Sequence, residues 1–285
     1  MALRFSYYPG CSLHSTAIEY DLSTRAVFEA MGVDLVELPD WNCCGASSAH
    51  SLNEALSLCL PARNLALAQE QWGDLVAPCA ACFNRLKSAD HALRHDPERR
   101  AQIEEVVGFR YTGQVQVLPP LAVVDQQIGL ERVGALVTRP LKGLRAVSYY
   151  GCLLVRPPEV VQFENPEHPR FMDRLLETLG AEPVDWSYTT DCCGGSLSLT
   201  RRDLAAHLVR GLVARAREAG AQAMVTACPL CQVNLEMRQD PGEGPMPILY
   251  FTELMGLAMG LEGSRTWWGK HLIDPRPLLK SLDLC

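Results

Sequence analysis

Hydrophobic positions along the chain follow two periods, one typical of short buried strands and one typical of helices. Strands are predicted at 3–8, 33–38 and 75–78, and helices at 16–32 and 54–72. Pro61 lies inside the second helix and predicts a kink or a break there. This alternation predicts an α/β fold in which small, mainly parallel sheets are flanked by helices.

The longest apolar segment, 245–261, is interrupted by Pro247 and Glu253. A membrane-spanning helix needs about 18 or more consecutive apolar residues. The segment is therefore predicted to be a buried strand followed by a packed helix, and no transmembrane segment is expected.

Ten of the twelve cysteines form two sets with the same order: a single cysteine, a vicinal pair and a C-x-x-C pair. In both sets 34 residues separate the vicinal pair from the C-x-x-C pair. The flanking sequences also repeat, since SYYPGC before Cys11 matches SYYGC before Cys152. The chain is thus predicted to be an internal duplication, with modules at 1–142 and 143–285.

Every cysteine of the first set comes directly after a predicted strand or at the start of the next helix. In a parallel open sheet the carboxyl ends of the strands lie along one edge, where ligands bind. Three distant segments can therefore bring five thiols to one point, and the duplication predicts two such points.

Composition and charge limit the partners, the location and the thiol chemistry that the chain can have. The net charge of −7 with scattered basic residues argues against a nucleic-acid partner. The N-terminal residues show no secretory pattern, so a cytoplasmic location is expected, where thiols stay reduced. Twelve cysteines there indicate thiolate chemistry rather than disulfides.

Three kinds of thiol site are consistent with these sets. Structural zinc takes four tetrahedral ligands, and five thiolates on one divalent ion would bury a costly net charge. A thioredoxin-like dithiol at Cys228 and Cys231 would leave three cysteines of its set unexplained. An iron–sulfur cluster spreads its ligands over several metal atoms and is the favoured interpretation, although zinc stays open.

The repeated pattern C-x(31–39)-C-C-G-x(33)-C-x-x-C resembles that of the CCG-domain proteins, and YYPGCSLHSTAIEYDLSTRAV closely resembles the B subunit of heterodisulfide reductase. The resemblance implies one non-cubane [4Fe-4S] cluster in each half. The ligands of the first would be Cys11, Cys43, Cys44, Cys79 and Cys82. Those of the second would be Cys152, Cys192, Cys193, Cys228 and Cys231.

The same resemblance implies an oxidoreductase activity. The two clusters would face a common cavity and reduce or form a disulfide, with electrons from the family's ferredoxin-like C subunit and its flavin-containing A subunit. The chain itself has no G-x-G-x-x-G fingerprint, so no flavin or nicotinamide is expected in it. The alternative function is electron transfer or anchoring, as in the E subunit of a succinate dehydrogenase-type complex.

Two further features have a functional and a structural interpretation. His14, three residues after Cys11, is a candidate proton donor to a leaving thiolate; the structural interpretation is a histidine at a helix start that faces solvent or caps the helix. The pair Trp267–Trp268 is either core packing or a docking surface for another subunit.

Overall fold

The computed structural model describes residues 3–46, 48–240, 242 and 244–285. Its framework is a pair of four-stranded parallel sheets with one topology. The first contains β1 (Leu3–Tyr7), β2 (Val33–Glu37), β3 (Leu75–Val76) and β4 (Val117–Leu118) in the order β2-β1-β3-β4. The second contains β5 (Arg145–Tyr149), β6 (Glu182–Pro183), β7 (Ala223–Thr226) and β8 (Ile248–Tyr250) in the order β6-β5-β7-β8. The predicted α/β class is confirmed.

Helices flank and connect the strands. In the first half they are α1 (Gly10–Leu13), α2 (Ile18–Ala30), α3 (Ala49–Leu52), α4 (Glu54–Gln71), α5 (Ala80–His95), α6 (Pro97–Val107), α7 (Pro120–Val123) and α8 (Leu130–Ala135). In the second they are α9 (Pro158–Val161), α10 (Phe171–Thr178), α11 (Arg202–Glu218), α12 (Pro229–Met237), α13 (Phe251–Ala258), α14 (Ser264–Trp267) and α15 (Arg276–Ser281). A π-helical turn covers Val124–Ile128, and 3₁₀ turns cover Gly195–Leu197 and Trp268–Lys270.

Of the kink or break predicted at Pro61, the break is wrong, because α4 runs through this residue without interruption. The helix begins where the side chain of Asn53 accepts a hydrogen bond from the Leu56 N–H, which satisfies one free donor of the first turn. Pro61 and Leu65 are buried against the core. Tertiary packing of this face therefore outweighs the local cost of the proline.

The apolar segment 245–261 forms β8 and the fully buried α13, as the sequence predicted. No helix among the described residues is long and apolar enough to cross a membrane.

The two halves share one hydrophobic core. Helix α13 of the second half packs on α2 of the first. At this contact the rings of Tyr20 and Tyr250 stack with centroids 4.1 Å apart, and the hydroxyls of Ser23 and Thr252 lie 2.7 Å apart. The strands of one sheet all come before residue 142 and those of the other all come after it. The module boundary near residue 142 stays a prediction, because the hydrophobic core is common to both halves.

Candidate functional site

The strands deliver both cysteine sets to the carboxyl ends of the sheets. In the first half the single cysteine follows β1, the vicinal pair follows β2, and Cys79 follows β3 at the N-terminus of α5. In the second half Cys228 occupies the same place after β7, at the N-terminus of α12. The equal topology of the sheets therefore gives two equivalent groups of thiols.

The first group contains closely packed sulfur atoms. The Cys44 and Cys82 Sγ atoms lie 3.2 Å apart, and the Gly45 N–H points to the Cys43 Sγ at 3.4 Å. Hydrogen bonds from Cys43 and Cys82 lower the pKa of the buried Cys44 thiol to about 3. Hydrogen bonds with neighbouring thiols raise the pKa of Cys43, Cys79 and Cys82. Cys44 is therefore the thiol of this group that most readily becomes a thiolate, the form of cysteine that binds metal.

The second group has the same design with looser spacing. The Cys193 and Cys231 Sγ atoms lie 3.7 Å apart, and the Gly194 N–H points to the Cys192 Sγ at 3.3 Å. A hydrogen bond from Cys152 lowers the pKa of the Cys192 thiol to about 6. A hydrogen bond from Cys231 lowers the pKa of Cys193.

The two groups meet at the contact between the halves. Helices α5 and α12 contact each other, and the cysteines at their N-termini interact: Cys228 raises the pKa of Cys79, while Cys231 and then Cys79 lower the pKa of Cys228. Both residues are buried. The duplication predicted two sites, but it contained no information that their C-x-x-C pairs would touch.

Glycine lets the chain pass close to the sulfur atoms. Gly10 and Gly151 have φ of +70° and +66°, which is the left-handed region, and each precedes the single cysteine of its set. A Cβ atom at Gly10 would lie 2.9 Å from the Cys82 Sγ, and one at Gly151 would lie 3.0 Å from the Cys231 Sγ. Only a residue without a side chain fits at these two positions.

Replacing Gly10 by Ala should destabilise the protein and displace Cys82. The left-handed backbone costs about 1–2 kcal/mol for alanine, and overpacking adds about 1–3 kcal/mol. Gly113→Ala is the matched control, because Gly113 has φ of +72° but its nearest neighbour would be 3.7 Å away. Denaturant unfolding should show a larger loss for Gly10→Ala, and equal losses would contradict the close approach.

The donor set fits an iron–sulfur cluster better than a single ion. In each group four of the five thiols surround one buried tyrosine, Tyr8 or Tyr149. Across the described ranges, no three His, Cys, Asp or Glu side chains are arranged to hold one metal ion. Thiolates that are distributed in this way suit several metal atoms rather than the tetrahedral geometry of structural zinc.

The other candidate residues have defined places. The His14 Nε2 lies 3.1 Å from the Glu37 Oε1, and its ring contacts Trp41 edge-on. Its role as a proton donor stays a prediction. Trp267 and Trp268 are buried, so core packing is the correct interpretation and the docking surface is not.

Sequence reasoning missed a buried ionic cluster near the second group. His271 lies between two carboxylates, with its Nδ1 2.8 Å from the Glu236 Oε1 and its Nε2 2.9 Å from the Glu253 Oε1. Glu19 from α2 is also buried and interacts with this cluster. Glu253 was noticeable in the sequence as a charge inside an apolar segment, but nothing indicated its partner.

Comparison with known proteins places this architecture in a family. The sequence profile of the CCG cysteine-rich domain matches residues 5–87 and 146–236, one match in each half. The chain therefore belongs to the CCG cysteine-rich domain family.

Individual relatives are similar along nearly the whole chain. The 8-methylmenaquinol:fumarate reductase membrane anchor subunit of Wolinella succinogenes is 30% identical, over 98% of this chain and 100% of its own. The B subunit of the ferredoxin/F420H2-dependent CoB-CoM heterodisulfide reductase of Methanosarcina acetivorans is 28% identical, over 90% of this chain and 89% of its own.

A solved structure supports the fold alone. A hypothetical protein from Helicobacter pylori superposes with a TM-score of 0.73 at 13% identity. The match covers 93% of this chain, which spans about half the length of that protein.

Proposed function

We propose that this chain is the disulfide-converting subunit of a heterodisulfide reductase-like complex, with one non-cubane [4Fe-4S] cluster in each half. The observation that carries the proposal is the pair of equivalent five-thiol groups in contact through Cys79 and Cys228. The similarity to the B subunit of a heterodisulfide reductase over 90% of this chain supports the choice of reaction. The proposed ligands are the ten cysteines of the two sets.

The reaction would convert one disulfide, two electrons and two protons into two thiols, or run in reverse. Bound clusters would supply the electrons and the sulfur-binding metal atoms. The chain's own contribution is to hold ten thiols at two sheet edges and to bury six of them away from water. It also donates the Gly45 and Gly194 N–H groups to Cys43 and Cys192, which stabilises negative charge on those sulfur atoms.

Electrons would come from other subunits. We propose two partners of the heterodisulfide reductase type, the ferredoxin-like C subunit and the flavin-containing A subunit, because the sequence carries no nucleotide-binding fingerprint. A cytoplasmic location is part of the same proposal. Affinity purification from the native cell should recover both partners, and full activity of the isolated chain with a reduced nicotinamide would argue against them.

A second function is favoured by a specific similarity. The relative at 30% identity over its full length is a fumarate reductase membrane anchor subunit. In that function the two clusters would pass electrons between a membrane quinone and a partner, without disulfide chemistry. Cell fractionation separates the two, because a chain that stays with membranes after a salt wash supports the anchor function.

Metal analysis tests the cofactor that both functions share. The chain purified without oxygen should contain about eight irons and eight sulfides, as two four-iron clusters require. Electron paramagnetic resonance should show cluster signals, and added disulfide should reoxidise the reduced protein. Stoichiometric zinc with little iron would overturn the cofactor proposal, whereas iron without any response to disulfides would favour the anchor function.

A further inference from the structure

Two tyrosines occupy the same position in the two halves. Tyr8 and Tyr149 each stand three residues before the single cysteine of their set, and both are fully buried. The Tyr8 hydroxyl donates to the Asn42 carbonyl at 2.9 Å, and the Tyr149 hydroxyl donates to the Asp191 carbonyl at 2.7 Å. Asn42 and Asp191 are the residues directly before the vicinal cysteines, so both hydroxyls hold the same peptide of the repeat.

Each ring lies beside the corresponding glycine of its half. A Cβ atom at Gly10 would lie 3.4 Å from the Tyr8 Cε1, and one at Gly151 would lie 3.6 Å from the Tyr149 Cε1. Burial, and then the surrounding cysteines, raise the pKa of both phenols far above the ordinary value. Each hydroxyl therefore keeps its proton and remains a hydrogen-bond donor in a place that water does not reach.

The remaining support of the vicinal loops differs between the halves. In the first, Asn64 from α4 exchanges two hydrogen bonds with the Asn42 backbone, at 2.9 and 3.0 Å. In the second, Asn234 from α12 donates instead to the Cys193 carbonyl at 2.7 Å. The amide contacts come from different helices in the two halves, whereas the tyrosine contact is the same in both. The tyrosine hydroxyl is therefore the support that the two loops have in common.

We propose that Tyr8 and Tyr149 are positioning residues, each of which fixes the direction of its own vicinal thiol pair through the peptide before it. Without the hydroxyl, the Asn42 or Asp191 carbonyl loses one hydrogen-bond partner, and the loop that carries Cys43–Cys44, or Cys192–Cys193, is held less firmly. The two tyrosines are independent of each other, because each hydroxyl binds only its own loop. This assignment extends the proposed function, but it concerns the chain itself and can be tested without metal.

Substituting phenylalanine removes only the hydroxyl. In the reduced, metal-free, full-length chain, alkylation by iodoacetamide followed by peptide mass spectrometry measures each thiol separately. Tyr8→Phe should raise the labelling rate of the buried Cys44 about five- to thirtyfold, the effect of losing roughly one hydrogen bond, and leave the buried Cys193 unchanged. Tyr149→Phe should give the reverse pattern.

Tyr111→Phe is the matched control, because Tyr111 is a buried tyrosine whose hydroxyl donates to Asp90 outside both sites. It should lower thermal stability without selective labelling of either loop. Equal labelling of both loops in Tyr8→Phe would indicate general destabilisation, and unchanged labelling would mean that the tyrosines only fill space. Either result overturns the proposal. After anaerobic iron–sulfide reconstitution, each variant should alter one of two cluster signals, and this second measurement is the one that also depends on the proposed function.

Discussion

Replacing Cys193 by Ser should lower disulfide turnover by orders of magnitude rather than by half. Serine is a harder and more basic ligand than cysteine and is poorly matched to iron–sulfide. Cleavage of a disulfide takes two electrons, and under the proposed function each site supplies one. A chain with one intact site then lacks a trap for the second sulfur, so the remaining site cannot complete the reaction.

The structure adds a reason for strong coupling between the sites. Cys193 packs against Cys231, and the same C-x-x-C pair contacts Cys79 of the other half through Cys228. The two sites are therefore adjacent, as a two-electron reaction shared between them would require. Cys44→Ser should have the same effect from the first half, where the Cys44 sulfur lies 3.2 Å from that of Cys82.

Cys59→Ser is the matched control for these variants. Cys59 lies on α4, belongs to neither set and is only partly exposed. It should keep its full iron content and turnover. The measurements are turnover with the substrate disulfide, iron content and the paramagnetic signal of the unaltered site. Retention of about half the activity in Cys193→Ser or Cys44→Ser would mean that the sites work independently.

The gathering of the cysteines at the sheet edges could be predicted because their positions follow from local rules. The hydrophobic periodicity and the turn residues predict where the strands lie, and the cysteines come directly after those strands. In a parallel sheet this is enough to bring Cys11, Cys44 and Cys79 to one edge without knowledge of any tertiary contact. Because the same 34 residues separate the vicinal pair from the C-x-x-C pair in both sets, the same arrangement is predicted for the second half.

The arrangement of the halves could not be predicted in this way. The contact between Cys79 and Cys228 depends on how α13 packs on α2, and on the stacked rings of Tyr20 and Tyr250. The packing contacts join residues more than 200 positions apart in the chain, and no periodicity records them. The uninterrupted α4 at Pro61 was missed for a related reason, since burial of its face decides the outcome.

The buried ionic cluster is the clearest example of a feature that sequence reasoning does not reach. His271, Glu236 and Glu253 come from three separate segments, and neither His271 nor Glu236 stands out from an ordinary surface charge in the sequence. In the structure all three side chains are inaccessible to water. Removing one member of such a cluster is costly, because it leaves a buried charge without its partner.

Replacing His271 by Ala should lower the free energy of unfolding by about 3–5 kcal/mol at neutral pH, since it leaves two buried carboxylates without their shared cation. Glu236 would keep the Leu272 N–H as a donor, and Glu253 would keep the Tyr250 N–H. Those hydrogen bonds do not replace the lost charge. Urea unfolding gives the measurement, and His207→Ala, at an exposed position of α11, is the control that should change little.

The loss of unfolding free energy in His271→Ala should depend on pH, because the charge of His271 in the wild-type protein depends on pH. Burial alone lowers the pKa of His271, but Glu253 and Glu236 outweigh it and raise the pKa to about 10, from 6.5 in the unfolded chain. The bound proton therefore stabilises the folded state fully below pH 6.5, and this contribution disappears as the pH rises through 10. Burial, with Glu253, raises the pKa of Glu19 from 4.5 to about 7. The stabilisation from the Glu19 proton is therefore also lost as the pH rises, but between about pH 4.5 and 7.

The difference in unfolding free energy between the wild-type protein and His271→Ala should thus be large at pH 6.5 and shrink steadily toward pH 10. Surface tyrosines and lysines that titrate in the same range are present in both proteins, so their effects cancel in the difference. The unfolding free energy of the single variant Glu19→Gln should depend less on pH than that of the wild-type protein, but only between about pH 4.5 and 7. This pH range distinguishes the contribution of Glu19 from that of His271. A difference that stays constant from pH 6.5 to 10 would show that His271 does not carry the proton between Glu236 and Glu253.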